Sequence, residues 1–158
     1  MTRCVITRGL ILSYLLILTL ISCDRARVYD NSIDIINQSW NKDSLVRFTF
    51  NIEDTLSLHR FYINVRHNTD YPYSNIYFFM SGKFPDGHTT RDTIECLLAD
   101  PKGNWIGKGS GKIRDNRILL REHLRFPVSG EYIIEIEQAM RDVSLRGIED
   151  IGIRIERE

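Results

Sequence analysis

The sequence is short of cysteine. Three are present among 158 residues, at positions 4, 23 and 96. The first two fall in an N-terminal stretch set apart below, so Cys96 stands alone in the remainder. No disulfide framework can staple that remainder, and an apolar core must hold it. Cys96, within Thr93-Ile94-Glu95-Cys96-Leu97-Leu98, is expected to be a small buried residue rather than a reactive thiol. Histidine is scarce as well. His59, His67, His88 and His123 are not spaced as metal ligands, with each other or with cysteine, which predicts surface or loop histidines and no bound metal. An excess of positive charge is missing: 21 basic residues meet 21 acidic ones, with no basic tail or stripe. Nucleic acid is therefore not an expected partner.

Catalytic signatures are missing too. There is no G-x-S-x-G nucleophile turn. Gly107-Lys108-Gly109-Ser110-Gly111-Lys112 resembles a phosphate loop only superficially. Ile106 stands where the first glycine belongs, and Ile113 where a hydroxyl should hold magnesium. Asp70, Asp86, Asp100 and Asp150 read as isolated turn carboxylates, without the D-x-D-x-D-G run of a calcium loop. Glu135 and Glu137 lie two apart on one strand face, as a glycosidase pair might. A solvated sheet face accounts for them as well. The residues predict no enzyme and no cofactor.

What is present begins with one apolar run. Leu10 to Ile21 is interrupted only by Ser13, Tyr14 and Thr19, and is preceded by Arg3 and Arg8. A positive start followed by a run this short suits a signal peptide, not a span of about 20 residues. The run ends Leu20-Ile21-Ser22-Cys23, the order of a lipobox. Residues 1–22 are expected to be a lipoprotein signal peptide. Cys23 is expected to carry the lipid, a thioether-linked diacylglyceryl group, with a further chain such as palmitate on the new amino terminus. Two or three acyl chains approach permanent anchoring where one does not. Residues 23–27 would be a short lipidated tether, and 28–158 a single domain. Without the signal, 19 basic residues face 21 acidic ones, and 136 residues suffice for one real core.

The rest alternates with period two. Val46, Phe48, Phe50 and Ile52 share one face; Arg47, Thr49 and Asn51 share the other. Leu58 to Arg66 repeats the pattern, with Phe61, Ile63 and Val65 inward. Further strands are expected over 28–36, 76–80, 90–98, 113–126 (with a helical turn), 130–137 and 148–156. Val143 to Gly147 reads as a connection. Trp40, in a polar setting, is expected to plug one end of a core. If Gly107, Gly109 and Gly111 are extended, they bare one strand face for an aromatic ring or another backbone. Short strands about ten residues apart, with no long helical period, predict an all-β, antiparallel β-sandwich, jelly-roll-like or Ig-like. Tyr71, Tyr73 and Trp105, in or beside loops, are the candidate partner surface. They could serve a protein partner or, alternatively, form a platform for a glycan.

The chain from Cys23 onward also resembles a known family. The resemblance is carried by the lipobox, by Tyr29 and Trp40, and by the run from Arg66 to Ile76. It continues through Leu97-Leu98-Ala99-Asp100 and Gly103-Asn104-Trp105-Ile106-Gly107-Lys108-Gly109. Its most specific part is the end, from Gly130-Glu131-Tyr132 through Glu137-Gln138-Ala139-Met140-Arg141 to Leu145-Arg146-Gly147-Ile148-Glu149-Asp150-Ile151-Gly152. These segments resemble the gliding-motility lipoprotein GldH family of Bacteroidetes. The resemblance implies a lipoprotein of the cell envelope, needed for movement over surfaces and working with the gliding and type 9 secretion machinery. It implies contact with other envelope proteins and no enzymatic activity. It carries over no site residue beyond Cys23. The lead Asp24-Arg25-Ala26-Arg27 lacks an acidic surface-export cluster, which favours the periplasmic side of whichever membrane holds the lipid.

Overall fold

A computed structural model describes residues 24–158. The signal peptide, the lipobox and Cys23 lie outside the described residues. The strands are β1 (Arg27–Asp34), β2 (Ser39–Asn41), β3 (Val46–Ile52), β4 (His59–Asn68), β5 (Asn75–Lys83), β6 (Thr89–Leu97), β7 (Ile113–Leu124), β8 (Gly130–Gln138), β9 (Ser144–Arg146) and β10 (Ile148–Arg157). One 3-10 turn, Ile36–Gln38, follows β1. Two four-stranded sheets form, in the orders β1-β10-β4-β7 and β3-β8-β5-β6, with a small β2-β9 ribbon at one end. The pairings in all three sheets are antiparallel. Apart from the β5-β6 hairpin, successive long strands alternate between the two sheets, which is the double Greek key of a jelly roll. Of the two sandwiches expected, this is the jelly roll.

Alternation explains the core. Val46, Phe48, Phe50 and Ile52 are buried, while Arg47, Thr49 and Asn51 are exposed. Phe61, Ile63 and Val65 face Ile151, Ile153 and Ile155 of β10 in the same sheet, and all six are buried. Each fully buried side chain of this size contributes about 1.5–3 kcal/mol. Cys96 is buried as well, and burial pushes its thiol up to about 12.

Four expectations need correction. His59 and His67 are not on the surface: both are buried, at the two ends of β4. They hold the inward parity of Phe61, Ile63 and Val65. Asp150 is not in a turn; it lies within β10. The 113–126 segment contains no helical turn, only a strand whose register shifts opposite Phe61. Ser144–Arg146 is more than a connection, since it pairs with Ser39–Asn41. That pairing sets Trp40 opposite Leu145, and both are sealed in the core. Trp40 Nε1 donates to Ser44 O at 2.9 Å, so its one polar atom is satisfied where the ring plugs the end.

Candidate functional site

Strand direction divides the molecule into two ends. β1 starts and β10 finishes at one end, with the loops 53–58 and 125–129. The loops 69–74, 98–112 and 139–143 gather at the other, beside the β2-β9 ribbon.

The second end holds the aromatic residues singled out by sequence. Asn68 organises it. Its side-chain oxygen accepts the Asp70 N–H at 3.0 Å and its carbonyl accepts the Tyr71 N–H at 3.2 Å. Its amide nitrogen donates to Glu149 Oε1 at 2.8 Å. This turn delivers Tyr71 into the core at 3% exposure, where its hydroxyl donates to Asn75 O at 2.8 Å. Burial raises the Tyr71 phenol well above its ordinary value. Gly147 makes room. Its φ of +86° suits glycine, and a Cβ there would stand 2.8 Å from Tyr71 N.

Tyr73 is half-buried, its hydroxyl donating to Asp142 Oδ2 at 2.9 Å. That hydrogen bond also raises its pKa. Trp105 is presented by a tight turn in which Asp100 Oδ1 accepts the N–H groups of Lys102 and Asn104. The indole lies edge-on to the His67 ring, 4.6 Å between centroids, and 6.5 Å from Tyr71. Tyr71 and Tyr73 are 5.8 Å apart. The structure therefore brings all three residues together, as a braced cluster. As placed, Tyr71 offers almost no ring to a partner, and Tyr73 and Trp105 offer part of theirs. Burial holds the His67 imidazole below its ordinary pKa, so it is neutral at neutral pH.

Sequence reasoning missed the exposed rim. Ile36, Leu45, Ile106 and Val143 are all exposed on loops of this end. Their signal was partial: Ile106 and Val143 are large apolar side chains in polar, turn-forming stretches, whereas Ile36 ends the run expected as the first strand and Leu45 adjoins the apolar run from Val46. Gly107, Gly109 and Gly111 lie in a loop, not a strand. Gly109, with φ +147°, would put a Cβ 2.3 Å from Ile113 O, so another backbone does fill the space a side chain would need.

The first described residues are fixed to the opposite region. Arg154 points outward from β10 yet is only 7% exposed. It binds Asp30 Oδ2 at 2.5 Å, Glu156 Oε1 at 2.6 Å, and Asp24. Burial would lower its pKa; the hydrogen bonds it donates to Asp24, Asp30 and Glu156 outweigh this and raise it. Asp24 is correspondingly held below the usual carboxylate range, chiefly by its hydrogen bond with Arg154. Arg157 N–H donates to Ala26 O at 2.7 Å. The residue next to Cys23 is thus already part of the domain.

The remaining candidates are accounted for within the fold. Glu135 pairs with Arg47 at 2.6 Å and Glu137 with Arg91 at 2.8 Å, both on a solvated face. Asp150 pairs with Arg66 at 2.9 Å; burial raises its pKa against the pull of that arginine. No cluster of three or more His, Cys, Asp or Glu side chains suited to a metal occurs among the described residues. Nor is any helix among them long and apolar enough to cross a membrane. A groove of about 760 Å³ crosses the outer face of the β1-β10-β4-β7 sheet, lined in part by Tyr62, Asn64, Arg117 and Lys108.

The sequence pattern of the family described as GldH lipoprotein matches residues 27–155, nearly the whole sandwich. The chain belongs to the GldH lipoprotein family. It is 41% identical over 143 residues to a gliding motility lipoprotein GldH homolog of Christiangramia forsetii, covering 86% of this chain and 87% of that one. It is 33% identical over 146 residues to the gliding motility lipoprotein GldH of Flavobacterium johnsoniae, covering 88% and 90%. Among solved structures it is similar to the VP2 subviral particle protein of infectious bursal disease virus. The TM-score is 0.41 at 16% identity, over 84% of this chain and 33% of that one, and the jelly-roll assignment above does not depend on it.

Proposed function

We propose that this GldH-family chain is a non-enzymatic envelope protein, anchored through acyl chains on Cys23, that supports gliding motility and the associated type 9 secretion machinery through protein contacts. The observation that carries this reading is the family match over residues 27–155, joined to a lipobox that ends four residues before it. The fixed position of Asp24 adds to it. With Asp24 held by Arg154, the domain would sit against the membrane rather than swing on a linker. The periplasmic side is the favoured address, since the lead carries no acidic export cluster.

The contact region in this reading is the aromatic end. Tyr71, Tyr73 and Trp105 stiffen it, and the exposed Ile36, Ile106 and Val143 around them meet the partner. Exposed apolar side chains on a rigid support are the usual anchors of such contacts. The glycan alternative required Trp105 or Tyr73 as an open platform. Both rings are packed against neighbours, and neither lines the groove across the β1-β10-β4-β7 sheet.

The test is made in the bacterium that carries the gene. Cys23→Ala is expected to release the protein from membrane fractions and abolish spreading. Ile106→Glu with Val143→Glu is expected to leave the protein in the membrane, at normal level, and still reduce spreading and secretion. Normal spreading with a fully soluble Cys23→Ala protein would overturn the anchor. Normal spreading and secretion with the double variant would overturn the contact region.

A further inference from the structure

The four sheet edges are unlike one another. β1 is interrupted by a register shift between Arg27 and Tyr29. β7 shifts opposite Phe61, and at its start Asp115 is bridged to Lys108. β3 is seven residues long. β6 runs for nine residues in unbroken register with β5, and no strand of the described residues pairs with its other side.

The hydrogen-bond parity of β6 follows from its surroundings. Leu98 N–H donates to Ser74 O, just past the Leu97–Asn75 pair. Alternate residues from there back, Cys96, Ile94, Asp92 and Thr90, turn their backbone groups toward β5. On the far side of β5, Ala139 N–H donates to Tyr77 O, which gives the same parity. Thr89, Arg91, Thr93, Glu95 and Leu97 therefore aim N–H and C=O away from the sheet. Open edges are ordinarily blunted by a bulge, a proline or charge. β6 has no bulge and no proline, and its outer-face charges form the self-complementary order Arg91-x-Thr93-x-Glu95.

We propose that β6 is a self-association edge, where two copies of this chain pair antiparallel about a two-fold axis through Thr93. In that register Arg91 of each copy lies opposite Glu95 of the other, and Thr89 opposite Leu97. Every outward backbone group of β6 gains a partner. Registers centred on Arg91, Asp92 or Glu95 place like charges face to face, and one centred on Ile94 sets Arg91 against Leu97. The charges are already held in position. Arg91 donates to Glu137 Oε2 at 2.8 Å and lies 4.8 Å from the centre of the Phe79 ring; Glu95 accepts from Asn75 at 2.6 Å. The row through the axis then reads Phe79, Thr93, Thr93, Phe79, with the exposed Tyr77 and Leu97 of each copy on the same outer face. The axis is normal to the sheets, so both β1-β10-β4-β7 faces, over which Asp24 lies, stay on one side. Both copies of Asp24 lie on that side.

The test uses the full chain in its own membrane. Thr93→Cys is expected to give a disulfide-linked dimer under mild oxidation, because facing Cα atoms in such a pair are about 5.5 Å apart. Thr89→Cys is expected to stay monomeric, since the two copies of that residue lie about 27 Å apart. Arg91→Glu added to Thr93→Cys is expected to abolish the dimer, and Glu95→Arg added to both to restore it. Absence of the Thr93→Cys dimer, or equal trapping by Thr89→Cys, overturns the pairing. Failure of the charge exchange to restore it overturns the register. The dimer is also expected in a Cys23→Ala background, so loss of anchoring and loss of pairing read out separately.

Discussion

The two outer faces of the sandwich are built from the same number of strands and are finished in opposite ways. On the β1-β10-β4-β7 face, the central strand β10 is buried on both sides through most of its length. Arg154 is covered by three carboxylates, Asp150 by Arg66, and Gly152 by Ser32. On the β3-β8-β5-β6 face, β5 keeps a plain alternation, and Tyr77 and Phe79 stand partly open to solvent. The first face is closed by the first described residues, through Asp24; the second keeps its aromatic rings partly open. The polar face is held by fixed charge pairs, so the two faces differ in what the loss of one charged partner costs.

The comparison can be broken by substitution. Arg154→Met is expected to cost about 3–5 kcal/mol in denaturant unfolding, since it leaves three carboxylates around an uncharged side chain. Arg91→Met on the other face should cost less than about 1 kcal/mol. Equal costs would erase the distinction. Gly152→Ala should cost about 2–3 kcal/mol, because its Cβ would meet Ser32 Oγ at 2.2 Å and Asn31 O at 2.8 Å. Ser32→Ala in the same chain should recover part of that loss and would sharpen the assignment to overpacking.

Smaller effects test the ends. Trp105→Ala should cost about 2 kcal/mol, less than a fully buried tryptophan, because the ring is only half-buried. His67 should give a pH dependence. Its folded-state pKa is lowered by burial, so as pH falls below about 6.5 the unfolded chain takes the proton first and stability declines. His67→Phe keeps a ring against Trp105 and should flatten stability between about pH 6.5 and 5; an unchanged slope would assign the decline elsewhere. The smallest effect belongs to Phe79→Ala, expected to shift stability by less than about 1 kcal/mol. A large loss there would mean the aromatic face is structural after all.

Much of the fold was legible in the sequence because period two is a direct record of one-sided burial. The strands around Phe48, Ile63, Ile134 and Ile153 were all readable in this way. The strand order was not, since alternation says which face is buried and nothing about which strand lies alongside. Short β9 escaped because three residues cannot display a period, and its pairing with Trp40 is a contact between distant segments. His59 and His67 were misread by residue type, although their parity with Phe61 and Val65 already pointed inward. The candidate surface was legible in part. Tyr71, Tyr73 and Trp105 do converge, but sequence could not tell support from contact, because that depends on Gly147 admitting the Tyr71 backbone. The exposed Ile36, Ile106 and Val143 were readable as isolated residues but not as one rim.

One feature of β10 bears on how the molecule comes into being. It comes last in sequence among the described strands, and it is the strand that separates and joins β1 and β4. Until residues 148–157 emerge, the first strand has no neighbour in its sheet, and Asp24 has no arginine to hold. Such a topology defers its most distant pairings to the end, which slows folding relative to domains rich in local contacts. β1 and Asp24 are therefore drawn onto the domain only when β10 closes the sheet.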